Sequence, residues 1–108
     1  MADRADAGAR ETYLVEHYQP GRTVDELRQW ALRVRDAAVG LEREGRPVRY
    51  LRSAIVPADE SLLCVLEAAG EGLVRETYAR AGISFERLSA VISEGDAAWA
   101  ATDECREE

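Results

Sequence analysis

The chain has 108 residues, of which 46 % are apolar and 32 % charged, and its formal net charge is −7. This length suits one domain rather than two, and a chain of this size buries roughly two thirds of its unfolded surface, which is enough for a core. The acidic balance disfavours nucleic acid and anionic membrane as partners, because both attract a positively charged surface. No segment approaches the ~20 apolar residues of a membrane span.

The cysteines and the N-terminal residues indicate a reducing compartment. Cys64 lies in an apolar run and Cys105 in a polar one, and two cysteines are too few for a disulfide framework. Residues 1–11 lack the apolar stretch of a signal peptide and are expected to form a disordered leader. We therefore expect a cytoplasmic protein.

The first predicted elements are a strand and a long helix. Residues 12–18 are rich in β-branched and aromatic side chains and precede a Gln-Pro-Gly turn, which predicts strand β1. Thr23 and Glu26 have the spacing of a capping box, and Gly45 is a typical helix stop. Between them, apolar residues recur at steps of three and four, which predicts an amphipathic helix α1 at 24–44.

The second half of the chain repeats the strand–helix–strand pattern. The predicted elements are β2 at 48–56, a hairpin loop at 57–61, β3 at 62–68, helix α2 at 71–81 and β4 at 84–92. The β4 segment fits either a helix or a strand, and a strand makes the two halves match. Residues 93–108 are acidic and are expected to form a tail or a short helix, which leaves 12–92 as the folded domain.

The order β-α-β-β-α-β predicts an α+β fold of the ferredoxin-like type, with a four-stranded antiparallel sheet and the helices on one face. Two helices cover only one face of such a sheet. Apolar side chains nevertheless occur at both parities of the strands, for example Leu62 and Leu66 against Leu63 and Val65. A second copy is therefore expected on the other face, giving a homodimer of the α/β-barrel type with a pocket between the sheets.

The register of the β2–β3 hairpin decides which side chains line that pocket. Pairing Val56 with Leu62 places Arg52 opposite Leu66. Arginine is rarely buried under helices without a partner, so the face carrying Arg52 is predicted to be the open one. Its predicted members are Tyr50, Arg52, Ala54, Leu62, Cys64 and Leu66.

Four segments together resemble a known bacterial family: Val-Glu-His-Tyr-Gln-Pro-Gly at 15–21, Val-Arg-Tyr-Leu-Arg-Ser at 48–53, Cys-Val-Leu-Glu-Ala at 64–68 and Arg-Ala-Gly-Ile-Ser-Phe-Glu-Arg at 80–87. They look like a mainly actinobacterial domain family of unknown function that includes small ferredoxin-like nickel-binding proteins. The resemblance implies a ferredoxin-like dimer. It also implies histidine ligands for nickel, of which only His17 has a counterpart in this chain; the region of residues 75–82 offers Tyr78 instead.

The leading hypothesis is a dimer that binds a small molecule without a cofactor, and its candidate ligand-binding residues are Tyr13, His17, Tyr50, Arg52, Cys64 and Glu67. A cofactor-free monooxygenase, cyclase or isomerase using the same pocket is one alternative, and a nickel-binding accessory protein with His17 as ligand is another. His17 is first of all consistent with a structural histidine, then with a catalytic or ligand-contacting residue, and last with a metal ligand.

Three narrower hypotheses concern pairs and patches. Cys64 is expected to pack in the core, as free cysteines commonly do, and the alternative is a nucleophilic dyad with His17 if β1 and β3 are neighbours. Glu16 and Glu67 are expected at opposite ends of the sheet, which argues against a carboxylate pair, while Glu67 can pair with a nearby arginine of β2. Residues 62–68 contain no aromatic side chain on which a nucleic-acid base would stack, so no nucleic-acid site is expected.

Overall fold

The computed structural model describes residues 10–92. The strands are β1 (Glu11–Tyr18), β2 (Val48–Val56), β3 (Ser61–Ala68) and β4 (Arg87–Val91), and the helices are α1 (Val24–Arg43) and α2 (Glu71–Ala81). This order confirms the predicted β-α-β-β-α-β arrangement, including β4 as a strand. Nearly all of the predicted leader and the whole acidic tail lie outside the described residues, although Glu11 already belongs to β1.

The four strands form one antiparallel sheet in the order β2-β3-β1-β4, so that β1 and β3 are central. Both helices lie on one face of this sheet and contact each other across it. Burial alternates along β3, where every second side chain is buried against the helices. The largest fully buried side chains are Tyr78, Leu27, Leu41, Leu62, Leu66 and His17. Neither helix has the length and apolar character that crossing a bilayer requires.

Helix α1 begins and ends with the predicted local signals. Thr23 Oγ1 accepts the backbone N–H of Glu26 at 3.1 Å, and the Glu26 carboxylate accepts the backbone N–H of Thr23 at 2.9 Å. Gly45 follows the helix with a φ of +86°, a left-handed conformation that glycine adopts without a steric penalty. These two signals set the direction in which β2 returns to the sheet.

The β2–β3 register differs from the predicted one by a residue. Val56 pairs with Ser61 and Ser53 with Cys64, because a 3₁₀ turn at Pro57–Asp59 and a left-handed Glu60 make the connection one residue shorter than predicted. A bulge between Tyr50 and Arg52 then shifts the phase of β2 again.

The predicted grouping of side chains on the open face is therefore wrong. Tyr50, Leu62, Cys64 and Leu66 lie beneath the helices, whereas Arg52 and Ala54 lie on the opposite face. The placement of Arg52 away from the helices was predicted correctly. A one-residue slip exchanges the two faces of a strand, because side chains alternate with a period of two.

Candidate functional site

His17, the one histidine of the chain, is fully buried near the end of β1. Its Nδ1 lies 3.1 Å from the backbone carbonyl oxygen of Ser84, and its Nε2 lies 3.3 Å from the hydroxyl of Tyr78. A carbonyl oxygen can only accept, so we place the proton of the neutral ring on Nδ1. Nε2 then carries the lone pair and accepts the hydroxyl proton of Tyr78.

Hydrogen bonds continue from Tyr78 toward the edge strand. The Tyr78 hydroxyl is also hydrogen-bonded to the thiol of Cys64, and Ser53 Oγ donates to Cys64 Sγ at 3.1 Å. The hydroxyl of Tyr50 lies 2.5 Å from Ser53 Oγ. Since Ser53 gives its proton to Cys64, Tyr50 donates to Ser53.

These five side chains, which we call the polar chain, run under the helices from the edge strand to the end of β1: Tyr50, Ser53, Cys64, Tyr78 and His17. The chain ends on the carbonyl of Ser84. Among residues 10–92, no buried side-chain nitrogen or oxygen lacks a hydrogen-bond partner. The polar chain therefore places its polar groups in the core without a large desolvation penalty.

Burial keeps the polar chain uncharged near neutral pH. It raises the pKa of the Cys64 thiol, although the hydrogen bonds of the thiol with Ser53 and Tyr78 oppose that rise. It also raises the pKa values of Tyr50 and Tyr78 and lowers the pKa of His17. A thiol with a raised pKa is a poor nucleophile. Because the Tyr78 hydroxyl also stands between Cys64 and His17, the structure does not support the predicted dyad.

The remaining predicted site residues lie elsewhere. Tyr13 is 5 % exposed at the other end of β1 and donates its hydroxyl proton to Glu11 at 3.1 Å. Arg52 and Glu67 lie on the sheet face away from the helices, as do Glu16 and Leu63. Glu16 and Glu67 pair with opposite ends of the neighbouring strands, as expected. The six predicted residues thus divide between the polar chain, the far end of β1 and the open face.

Two members of the polar chain were not among the predicted site residues. Ser53 faces Cys64 only in the observed register, so the predicted pairing gave it no role. Tyr78 had one available signal, because it stands where the family resemblance leads one to expect a histidine. Its hydroxyl links the Cys64 and His17 side chains that the sequence had already singled out.

Cavities adjoin both ends of the polar chain. A cavity of about 680 Å³ lies at the hairpin end of the open face. It is lined by residues of β1, the hairpin and the start of β4, among them Glu16, His17, Val56, Leu63, Glu86 and Arg87. A smaller cleft of about 340 Å³ lies between α1 and β2, where Tyr50 and Ser53 line it.

The donor set at His17 does not fit a transition-metal site. Both ring nitrogens already have protein partners, and within residues 10–92 no group of three or more histidine, cysteine, aspartate or glutamate side chains is arranged to hold a metal ion. A nickel site is built from several nitrogen, oxygen or sulfur ligands around one ion. We therefore derive no chemistry from a metal at this position.

Comparisons with known proteins identify relatives of this fold. The family described as "Nickel responsive protein SCO4226-like" matches residues 13–91. The crystal structure of SCO4226 from Streptomyces coelicolor A3(2) superposes with a TM-score of 0.59 at 23 % sequence identity, over 76 % of this chain and 98 % of that one. At this identity the superposition shows a shared fold. No curated protein matches the chain.

Replacing Tyr78 with phenylalanine tests the polar chain. Tyr78→Phe keeps the ring that packs against Phe85 but leaves His17 Nε2 and the Cys64 thiol without their partner. We expect the free energy of unfolding in urea to fall by about 1–3 kcal/mol. The matched control Tyr18→Phe alters an exposed side chain and should change it by no more than about 0.5 kcal/mol. Equal stability of the two variants would contradict the assigned hydrogen bonds.

The pH dependence of stability tests the protonation of His17. Burial lowers its pKa from 6.5, against smaller opposing effects of the Ser84 carbonyl and Glu86. Below pH 6.5 the unfolded state therefore binds a proton that the folded state does not. The free energy of unfolding consequently decreases as the pH is lowered. The loss is at most about 1.4 kcal/mol for each pH unit.

Urea unfolding between pH 7.5 and 5.5 measures this loss for the native protein and for His17→Gln. The chain has a single histidine, so we expect the slope over this interval to be reduced in the variant. If the free energy of unfolding of His17→Gln depends on pH as steeply as that of the native protein, His17 is not buried in its neutral form.

Proposed function

We propose that this chain, which belongs to the nickel responsive SCO4226-like family, is a homodimer that pairs through its open sheet face and binds a small molecule in the cavity beside that face. The observation that carries the proposal is the row of apolar side chains which the helices leave uncovered. In the single chain these side chains are half-buried by their neighbours alone: Leu14, Val56, Leu63, Val65 and Val91.

The area of the open face can be compared with the area that an interface between two copies needs. The strands have five to nine residues, and at ~3.3 Å per residue and about 4.8 Å between strands they present a footprint of about 475 Å². Two such faces bury about 950 Å² in total, which is close to the ~1,000 Å² that a specific interface is expected to reach. An apolar centre with charged residues at its edges is also the usual composition of an interface.

The charges on the face suit a twofold contact. Glu16 lies 3.8 Å from Arg87 at the hairpin end of the face. At the other end Glu67 is opposite Arg49 in the strand register, and the Arg49 guanidinium contacts Glu42 of α1 at 3.7 Å. The hairpin end therefore presents both signs of charge. In a twofold interface the same patch meets itself, so a patch with both signs can place acids of one copy against bases of the other.

The larger cavity has the size and lining of a small-molecule pocket. Its volume of about 680 Å³ lies within the ~300–1,000 Å³ range of ligand pockets. Val56 and Leu63 supply apolar lining, and Glu16 and Arg87 supply polar groups that can orient a ligand. Because these residues belong to the open face, a second copy there would also cover part of the cavity.

The experiment that tests this proposal is native mass spectrometry of the untagged protein. We expect the mass of two chains together with a bound small molecule. Leu63→Arg places a charge in the middle of the open face and in the cavity wall, and should give an unliganded single chain, because burying an unpaired charge is costly. Ala79→Arg adds the same charge on the exposed side of α2 and should remain a dimer.

Three outcomes would contradict the proposal. A native protein with the mass of one chain would exclude the dimer. A Leu63→Arg variant that remains dimeric would place the interface elsewhere. One nickel ion per chain in place of an organic ligand would assign the cavity or another surface to metal binding.

A further inference from the structure

The smaller cleft lies on the helix side of the sheet, away from the open face, between α1 and the edge strand β2. Its walls are apolar, and its polar groups are confined to the floor and the rim. Ala31 and Leu32 of α1 and Ile55 of β2 form the walls, Tyr50 and Ser53 form the floor, and Arg28 stands at the rim. Leu32 is 41 % exposed, so the cleft opens to solvent beside an apolar side chain.

The floor of the cleft is the first link of the polar chain. Tyr50 is half-buried, and its hydroxyl proton is directed to Ser53 Oγ. Tyr50 is the donor end of the polar chain, so its hydroxyl can rotate away from Ser53 while the hydrogen bond between Ser53 and Cys64 is kept. A ligand oxygen placed in the cleft can receive this proton, while Ser53 keeps its bond to Cys64.

Arginines lie near the Tyr50 hydroxyl and at the rim of the cleft. Burial raises the pKa of that hydroxyl, and its hydrogen bond with Ser53 and the positive charges of Arg35 and of Arg52, which lies on the open face, act in the opposite direction. Arg28 adds a third guanidinium at the rim. Arg28 and Arg35 each contact an aspartate, Asp25 at 3.3 Å and Asp36 at 3.4 Å, but all four side chains are at least half exposed, so these pairs neutralise the arginines only weakly.

We propose that this cleft binds a small organic carboxylate with an apolar body, its carboxylate accepting the hydroxyl proton of Tyr50 beside Arg28 and its apolar part lying between Leu32 and Ile55. Apolar walls provide most of the contact area in such sites, and a few polar groups orient the ligand. A hydroxyl and a guanidinium that line one apolar cleft suit a carboxylate, because hydrogen bonds to a charged acceptor are stronger than those to a neutral one. This site is independent of the dimer and of the larger cavity.

Isothermal titration with defined probes tests the proposal. Hexanoate and benzoate are the carboxylate probes, and hexanamide and benzamide are their uncharged counterparts of nearly equal shape. We expect one carboxylate to bind per chain, and its amide at least about ten-fold more weakly, since losing a charge-assisted bond changes affinity by that factor or more. Leu63→Arg should bind the carboxylates as the native protein does, which separates this site from the dimer interface.

Two variants locate the binding site. Tyr50→Phe removes the hydroxyl and keeps the ring, and Arg28→Gln removes an exposed charge that the fold does not require; each should weaken carboxylate binding about ten-fold. Arg43→Gln removes an exposed charge at the other end of α1 and should have no effect. If Tyr50→Phe proves unstable, Arg28→Gln alone carries the test. The proposal is overturned if the probes do not bind at millimolar concentration, if amides bind as well as carboxylates, or if Arg28→Gln binds normally.

Discussion

The placement of both helices on one face of a four-stranded sheet is the constraint on which the rest of this structure depends. In the central strands, alternate side chains are sealed under the helices, and those between them face away. Polar groups on the sealed side must find protein partners, because water does not reach them. Apolar groups on the other side remain half-exposed unless something covers them. The polar chain is the consequence on the face under the helices, and the proposed dimer is the consequence on the open face.

The polar chain also limits what the most reactive side chains can do. His17 and Cys64 have the residue types of a metal site or a nucleophilic pair, yet each is held neutral and hydrogen-bonded within the core. The carbonyl of Ser84 places the proton of the neutral His17 ring on Nδ1, so that Nε2 accepts the hydroxyl proton of Tyr78. A network in which every member is satisfied favours a single arrangement of the core. The groups best placed to meet a ligand are therefore at its ends, in the two cavities, rather than at its centre.

Local signals in the sequence were sufficient to predict the helices and strands but not the register between β2 and β3. The capping box at Thr23, the glycine at position 45 and the spacing of apolar residues located α1 within one residue of its observed end. The predicted β4 is confirmed because its backbone pairs with β1, which its ambiguous apolar pattern alone could not establish. The register failed because a 3₁₀ turn and a bulge in β2 depend on backbone geometry that an alternating pattern does not encode. Because the predicted register was wrong, Tyr50 and Cys64 were expected on the open face, and Ser53 was not expected to lie opposite Cys64.

We propose that a second copy covers the open face of this family member. An isotope-filtered NMR experiment on a mixture of labelled and unlabelled protein can observe this contact at the methyl groups of Leu14, Leu63 and Val65. We expect nuclear Overhauser effects between the labelled and unlabelled chains at these methyl groups. Their absence, in a sample that tumbles as a single chain, would contradict it.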